Sequence, residues 1–191
     1  MTVLDPERAA AVSPSLKVLE LGCGQKKIVA HSTSVDVNPR SRADIIHDLN
    51  RMPYPFPDDS FDIVIAEHVL EHLDNVIARV EEVHRICRPD ALFYVEVPHF
   101  SSPEFFTDPT HRHAFGARSF DYFVPGTDLN AFRYSEATFR KRSTQVCGHN
   151  RHLEGWINRH LLLYERRLAF LYPASVVRFE LQAIKNGAHH P

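Results

Sequence analysis

The chain has 191 residues, 43% of them hydrophobic and 24% charged, with 22 basic and 24 acidic side chains for a net charge of −2. That length predicts one domain with a sizeable core, and that composition excludes a wholly disordered chain. The charge balance gives no overall pull toward nucleic acid, and the apolar runs fall far short of the roughly 18 residues needed to span a bilayer.

The first sixteen residues read as a short arm. The opening M-T-V-L-D-P-E-R lacks the basic lead and long apolar segment of a secretory signal. Cys23, Cys87 and Cys147 are too widely spaced for a disulfide framework or a metal knuckle. A reduced, cytoplasmic protein is the expectation. K-V-L-E-L (17–21) predicts a first strand, S-V-D-V (34–37) a second ended by Asn38-Pro39, and D-I-I-H (44–47) a short third. Three prolines make 51–60 a loop before a fourth strand, F-D-I-V-I-A (61–66). Residues 74–88 carry Val76, Ile77, Val80, Val83 and Cys87 at helical spacing, with Asp74 as the expected N-cap. A-L-F-Y-V-E-V (91–97) is the fifth strand. Residues 99–137 are aromatic, rich in histidine and in turn formers. Strands over 138–147 and 175–184 flank a helix over 151–172, whose stripe is Leu153, Trp156, Ile157, Leu161, Tyr164 and Leu168. Strands rich in Val, Ile and Leu that alternate with helices predict a mostly parallel sheet covered on both faces.

In such sheets ligands sit beyond the carboxyl ends of the strands. After the first strand comes G-C-G, Gly22 to Gly24, which lets backbone approach a ligand closely. Asp36 ends the second strand, where a carboxylate can accept both hydroxyls of a ribose. Asp48 and Leu49 end the third, an acid and an apolar residue suited to an adenine. Glu67 and His68 end the fourth, followed by V-L-E-H-L (69–73). Each signal alone is weak, but their order at successive strand ends describes a site for an adenosine with a polar tail. A dinucleotide site is not indicated, because a pyrophosphate needs the full G-x-G-x-x-G, and Gln25, Lys26 and Lys27 follow Gly24 instead.

The segments E-L-G-C-G, V-D-V-N-P, H-D-L-N, P-Y-P-F-P-D-D-S-F-D-I-V and A-E-H-V-L-E-H-L resemble the class I S-adenosylmethionine-dependent methyltransferases, of the small-molecule type 11 group. The resemblance covers about residues 17–98. It implies a single-domain, Rossmann-like fold with a seven-stranded sheet: a cofactor half at 17–98, a loop-rich cover for the acceptor pocket at 99–137, and C-terminal strands and helix at 138–191. It implies S-adenosylmethionine as cofactor. Glu20 would order the loop and reach the methionine amino group, and Gly22, Cys23 and Gly24 would pack along the methionine and ribose. Asp36 would hold the ribose, Val37 would lie against the adenine, Asp48 would accept the adenine amino group, and Leu49 would supply a backbone donor. Glu67 and His68 would sit near the sulfonium. I-C-R-P-D-A replaces the family's K-P-G-G turn before the fifth strand. Asp36 comes only sixteen residues after Glu20, so the first helix is expected to be cut to a turn or so, leaving an open edge to the cofactor site.

His99, Asp108, His111 and His113 concentrate after the fifth strand. They could ligate a metal, remove a proton from an acceptor, or hydrogen-bond an irregular loop. Methyl transfer from a sulfonium needs chiefly alignment, so no metal ligand is assigned. His68, His99, His111 and His113 are the candidates for positioning the acceptor or removing its proton. Phe105, Phe106, Phe115, Phe120, Tyr122 and Phe123 read as loop core. Cys147, His149 and His152, like His189 and His190, carry no defined geometry. Four arginines on the 151–172 helix leave three readings open: ordinary sheet packing, a homo-oligomer interface, or contact with a membrane surface or lipid-linked substrate.

The expected reaction is methyl transfer to an oxygen, nitrogen or carbon of a small or medium acceptor. A nonenzymatic module that binds the cofactor is the first alternative, separated by label transfer. A nicotinamide oxidoreductase is the second, separated by titration with the reduced cofactor. A nucleic-acid methyltransferase is disfavoured, because there is no basic stripe and no N-P-P-Y motif or Pro-Cys pair after the fourth strand.

Overall fold

The structure is a computed structural model that describes residues 11–148 and 151–185, with side chains of the second segment from Leu153 onward. His149, the His152 side chain, His189 and His190 lie outside the described residues. Seven strands form one sheet: β1 (Val18–Leu21), β2 (Thr33–Asp36), β3 (Ile45–Ile46), β4 (Phe61–Glu67), β5 (Cys87–Pro98), β6 (Thr138–Cys147) and β7 (Val176–Ile184). Their order is β3-β2-β1-β4-β5-β7-β6. The first five pair in parallel, and β7 runs antiparallel to both β5 and β6.

Alternation along the strands divides the core in two. Leu19, Leu21, Val64, Phe93, Val95, Phe179 and Leu181 belong to one large apolar cluster. Helix α1 (Val76–Ile86) buries Val80, Val83 and Ile86 there, and Phe115, Phe120 and Phe123 of the 99–137 segment join them. Those three aromatics are loop core as expected, whereas Phe106 is exposed. Val18, Ile63, Ile65 and Tyr94 form a much smaller cluster on the other face, covered by Val12, Ile28 and Val29. Among the described residues, the buried apolar side chains of the helices all join the large cluster.

The shortened first helix is absent altogether: residues 22–32, between β1 and β2, hold only turns and bends. A crossover with its helix needs about 10–12 residues, and this segment is held in another way. Glu20, 1% exposed, accepts hydrogen bonds from the Ile28 and Val29 amides at 2.8 and 2.7 Å and from Ser32 Oγ at 2.7 Å. One carboxylate thereby does the work of a helix's hydrogen-bond ladder.

Three boundaries differ from the sequence reading. Asn75, not Asp74, caps α1, its side chain accepting from the Ala78 amide; Asp74 pairs with Arg112 instead. β5 starts at Cys87 rather than 91, because the chain passes Pro89 with an irregular register and Asp90 at φ +64°. The long C-terminal helix is two, α3 (Arg151–Arg159) and α4 (Leu161–Arg167), with His160 between them at φ −127°, ψ 39°. The break splits the expected stripe: Ile157 and Tyr164 are buried, while Leu153 and Trp156 stay exposed. A short helix, α2 (Pro103–Thr107), follows β5. At the sheet's outer edge β6 carries Arg140, Lys141 and Arg142 and changes register between Lys141 and Ser143. At the opposite edge β3 is two residues long. No helix among the described residues is long and apolar enough to cross a membrane.

Candidate active site

The carboxyl ends of β1 and β4 open onto a cavity of about 490 Å³ lined by Glu20, Gly22, Cys23, Lys26, Glu67 and His68, among others. Gly22 stands at φ +67°, and a Cβ there would meet Val69 Cγ2 at 2.2 Å, so this position requires glycine on both counts. Gly24, at φ +56°, donates its amide to Asp36 Oδ2 at 2.8 Å, while the Asn38 amide donates to Oδ1 at 2.8 Å. Asp36 thus ties the glycine turn to the end of β2 and keeps spare lone pairs on each oxygen. Asp36, Val37, Asp48 and Leu49 do not line this cavity. Val37 is 63% exposed and Leu49 is buried in the core. Asp48 Oδ1 accepts the Asn50 amide at 2.9 Å.

His68 occupies a left-handed backbone conformation, φ +53°, directly after β4. Its Nδ1 lies 3.3 Å from Glu71 Oε1 and its Nε2 3.3 Å from Glu96 Oε1. Those two carboxylates hold its pKa up at about 10, so His68 is an imidazolium at neutral pH and cannot act as a general base there. Desolvation and the neighbouring Glu96 push the Glu67 carboxyl up. Against its own desolvation, His68 and Arg178 hold Glu96 down. The cavity is lined by two carboxylates, Glu20 and Glu67, and by Lys26, Lys27 and His68, the last held by Glu71 and Glu96. Glycine backbone for close approach, with charges of both signs around it, fits S-adenosylmethionine, which combines a sulfonium, an ammonium and a carboxylate.

His68 also lines a second, larger cavity of about 780 Å³, together with His72, Glu104, Asp108, His111 and Val176. The two cavities therefore meet at one side chain. His111 Nδ1 bonds the Phe105 carbonyl at 2.9 Å, and His72 Nδ1 bonds Thr110 Oγ1 at 2.8 Å. The rings of His72 and His111 lie 4.7 Å apart.

Two of the four candidate histidines are placed elsewhere. His99 is fully buried, with Nδ1 on Ser101 Oγ at 2.8 Å and Nε2 at 3.3 Å from Glu165 Oε1, and it packs against Phe100 and Tyr164. A ring with no exposed surface cannot touch an acceptor, so His99 is a structural residue. His113 bonds the Leu73 carbonyl through Nε2 at 2.8 Å and does not line the second cavity. Sequence reasoning missed His72, Glu71 and Glu96. Glu71 and His72 were visible in V-L-E-H-L, one turn past a strand end. Nothing in the sequence marked Glu96, an acid in mid-strand.

Residues 19–95 match the family model described as a methyltransferase domain. The chain is 30% identical over 106 residues to a sterol 24-C-methyltransferase of Gibberella zeae, a match covering 44% of this chain and 28% of that protein. It is 33% identical over 97 residues to a probable S-adenosylmethionine-dependent methyltransferase of Mycolicibacterium smegmatis, covering 42% and 37%. The matches thus span well under half the length of these curated relatives. The fold is similar to that of an S-adenosylmethionine-dependent methyltransferase from Archaeoglobus fulgidus, with TM-score 0.57 and 16% identity over 88% of this chain and 87% of that one.

Proposed function

We propose that this chain is a class I S-adenosylmethionine-dependent methyltransferase that methylates a small or medium acceptor held in the larger cavity; the match of residues 19–95 to the methyltransferase-domain model and the likeness of fold support the reading. The observation that carries the reading is the junction at His68 of a glycine-walled cavity, lined by charges of both signs, with a second, histidine-lined one. S-adenosylmethionine supplies the methyl group when bound. Gly22 and Cys23 give its methionine portion a backbone wall, and Lys26 meets its carboxylate. Glu67 and Glu96 offset the sulfonium charge across His68. Asp36 accepts from the ribose hydroxyls, with Val37, Asp48 and Leu49 serving the adenine. His111 and His72 face the acceptor, which the 99–113 segment shelters from water.

The test is calorimetry with S-adenosylhomocysteine, followed by label transfer from methyl-labelled cofactor to a panel of hydroxylated and amine acceptors. Asp36→Ala should lose about 1.5–3 kcal/mol, or very roughly 10- to 150-fold in affinity. Unchanged affinity in a folded variant would remove Asp36 from the site. Binding without transfer to any acceptor would favour the nonenzymatic module.

A second reading for the acceptor is a lipid-linked molecule or one presented at a membrane surface. Exposed Leu153, Trp156, Leu162, Leu163, Phe170 and Leu171 on α3, α4 and the turn after them favour it. Co-sedimentation with phospholipid vesicles, lost in Trp156→Ser/Phe170→Ser, tests it.

A further inference from the structure

We infer that Glu71, His72 and His111 form a binding site for a divalent transition-metal ion, of the zinc or iron(II) type, at the wall of the acceptor cavity. One potential ligand atom from each lies within 4.8 Å of the other two. The Glu71 side chain has no exposed surface, and neither carboxylate oxygen has a hydrogen bond. His68 Nδ1, 3.3 Å from Oε1, offsets part of its charge, but both oxygens remain without a hydrogen bond. Burying carboxylate oxygens in this state is costly unless something satisfies them. An ion between Glu71 and the two imidazoles would do so.

The histidines are oriented for this role. A metal-binding imidazole commonly donates its other N–H to an oxygen, which fixes its tautomer and aim. His111 Nδ1 donates to the Phe105 carbonyl at 2.9 Å, leaving Nε2 as an acceptor 4.0 Å from Glu71 Oε1. His72 Nδ1 donates to Thr110 Oγ1 at 2.8 Å, and that hydroxyl donates onward to Asp108 Oδ1 at 2.6 Å. In the tautomers that these bonds select, each Nε2 is the ring's acceptor nitrogen, with Asp108 Oδ2 3.9 Å from that of His111.

The two segments that supply the ligands are pinned together by backbone. The Arg112 amide donates to the Glu71 carbonyl at 2.8 Å, and the His113 amide to the same oxygen at 3.3 Å. A ligand distance near 2.0–2.2 Å puts ligand atoms about 3.3–3.5 Å apart around a tetrahedral ion. The set needs to contract by at most about 1.5 Å at its widest, within reach of χ rotations.

Two histidines and one carboxylate are an ordinary ligand set for such ions, and three ligands leave a coordination position open. His72 and His111 line the cavity of about 780 Å³, so that position faces the acceptor. An acceptor hydroxyl taken as a further ligand would ionise near neutral pH, its proton passing to water. This catalytic consequence rests on the methyl-transfer reading; the ion site does not.

The test uses the full chain stripped with a chelator, then titrated calorimetrically with zinc ion alone and with cobalt(II) followed by visible absorption. The expected result is one tight equivalent and cobalt bands typical of low coordination number. His72→Gln and His111→Gln should each weaken binding at least about 10-fold, the loss that removing even an orienting partner brings. His31→Gln, at an exposed site, should leave it unchanged. Circular dichroism establishes that the variants fold. Binding that persists undiminished in His72→Gln/His111→Gln overturns the site, as does no binding tighter than about millimolar. Titration of the same samples with S-adenosylhomocysteine keeps the two readings apart. Homocysteine-analogue binding without metal binding overturns the ion site alone. Failure of the analogue to bind overturns the cofactor reading and leaves the metal titration to decide this one.

Discussion

Replacing Glu20 by alanine removes the acceptor of three hydrogen bonds that hold residues 28–32 against β1. Bonds to a charged acceptor contribute about 1.5–3 kcal/mol each. Ile28 is only half-buried, so water can replace its bond in the variant. Val29 and Ser32 are buried, at 1% and 4% exposure, and their donors would be left with nothing. Counting those two alone, the loss should be about 3–6 kcal/mol. For a chain of this size that is a fall in Tm of about 6–24 °C. The assay is urea unfolding followed by circular dichroism, with Tm as a second measure. Ser32→Ala alone should lose about 1.5 kcal/mol. In Glu20→Ala/Ser32→Ala the combined loss should fall short of the sum by about 1 kcal/mol, because one bond is counted in both single variants. A Glu20→Ala loss under about 1 kcal/mol, or strict additivity with Ser32→Ala, would refute the view that this carboxylate substitutes for the missing helix.

Gly22→Ala should destabilise by about 2–4 kcal/mol, combining a left-handed non-glycine backbone with overlap on Val69. Adding Val69→Ala should restore only the packing share, and full recovery of the urea midpoint would show that backbone conformation contributes nothing. His84 bonds the Ile184 carbonyl at 3.0 Å, and burial depresses its pKa below the ordinary 6.5. The unfolded chain therefore takes up more protons at this residue as the medium becomes acid. Its stabilising contribution is complete above about pH 6.5 and is lost as pH falls through the lower folded pKa. Urea midpoints measured from pH 7.5 to 5.0 should fall more steeply for the native protein than for His84→Gln; parallel profiles would exclude His84 as the cause.

The sheet could be read from the sequence because its strands are apolar runs bounded by Pro, Gly, Asn and Asp, signals that act locally. The glycine turn and Asp36 were readable for the same reason, as they sit at strand ends. The spacing from Glu20 to Asp36 also announced a truncated crossover. Its complete loss did not follow, because nothing local says that Glu20 will take up amides eight and nine residues onward. Asp74 and Asn75 are both good caps, and the choice between them depends on Arg112, distant in sequence. The histidines failed for a related reason. His99 and His111 look alike in a loop rich in turn formers, yet one ring is sealed beneath Tyr164 and the other faces a cavity. Glu96 and Glu71 converge on His68 only once β4 and β5 have paired.

The two borders of the sheet differ in how they would meet another chain. An unpaired strand is a template on which a foreign strand can grow. At β3 only two residues are available to copy. β6 is ten residues long, and there Arg140, Lys141 and Arg142, with the slip in register beside them, break up any run that a neighbour could follow. Growth of a continuous sheet from one molecule to the next is therefore disfavoured at both borders. Self-association of this protein, including the ordered aggregation to which long bare strands are prone, would have to begin on a face of the molecule instead.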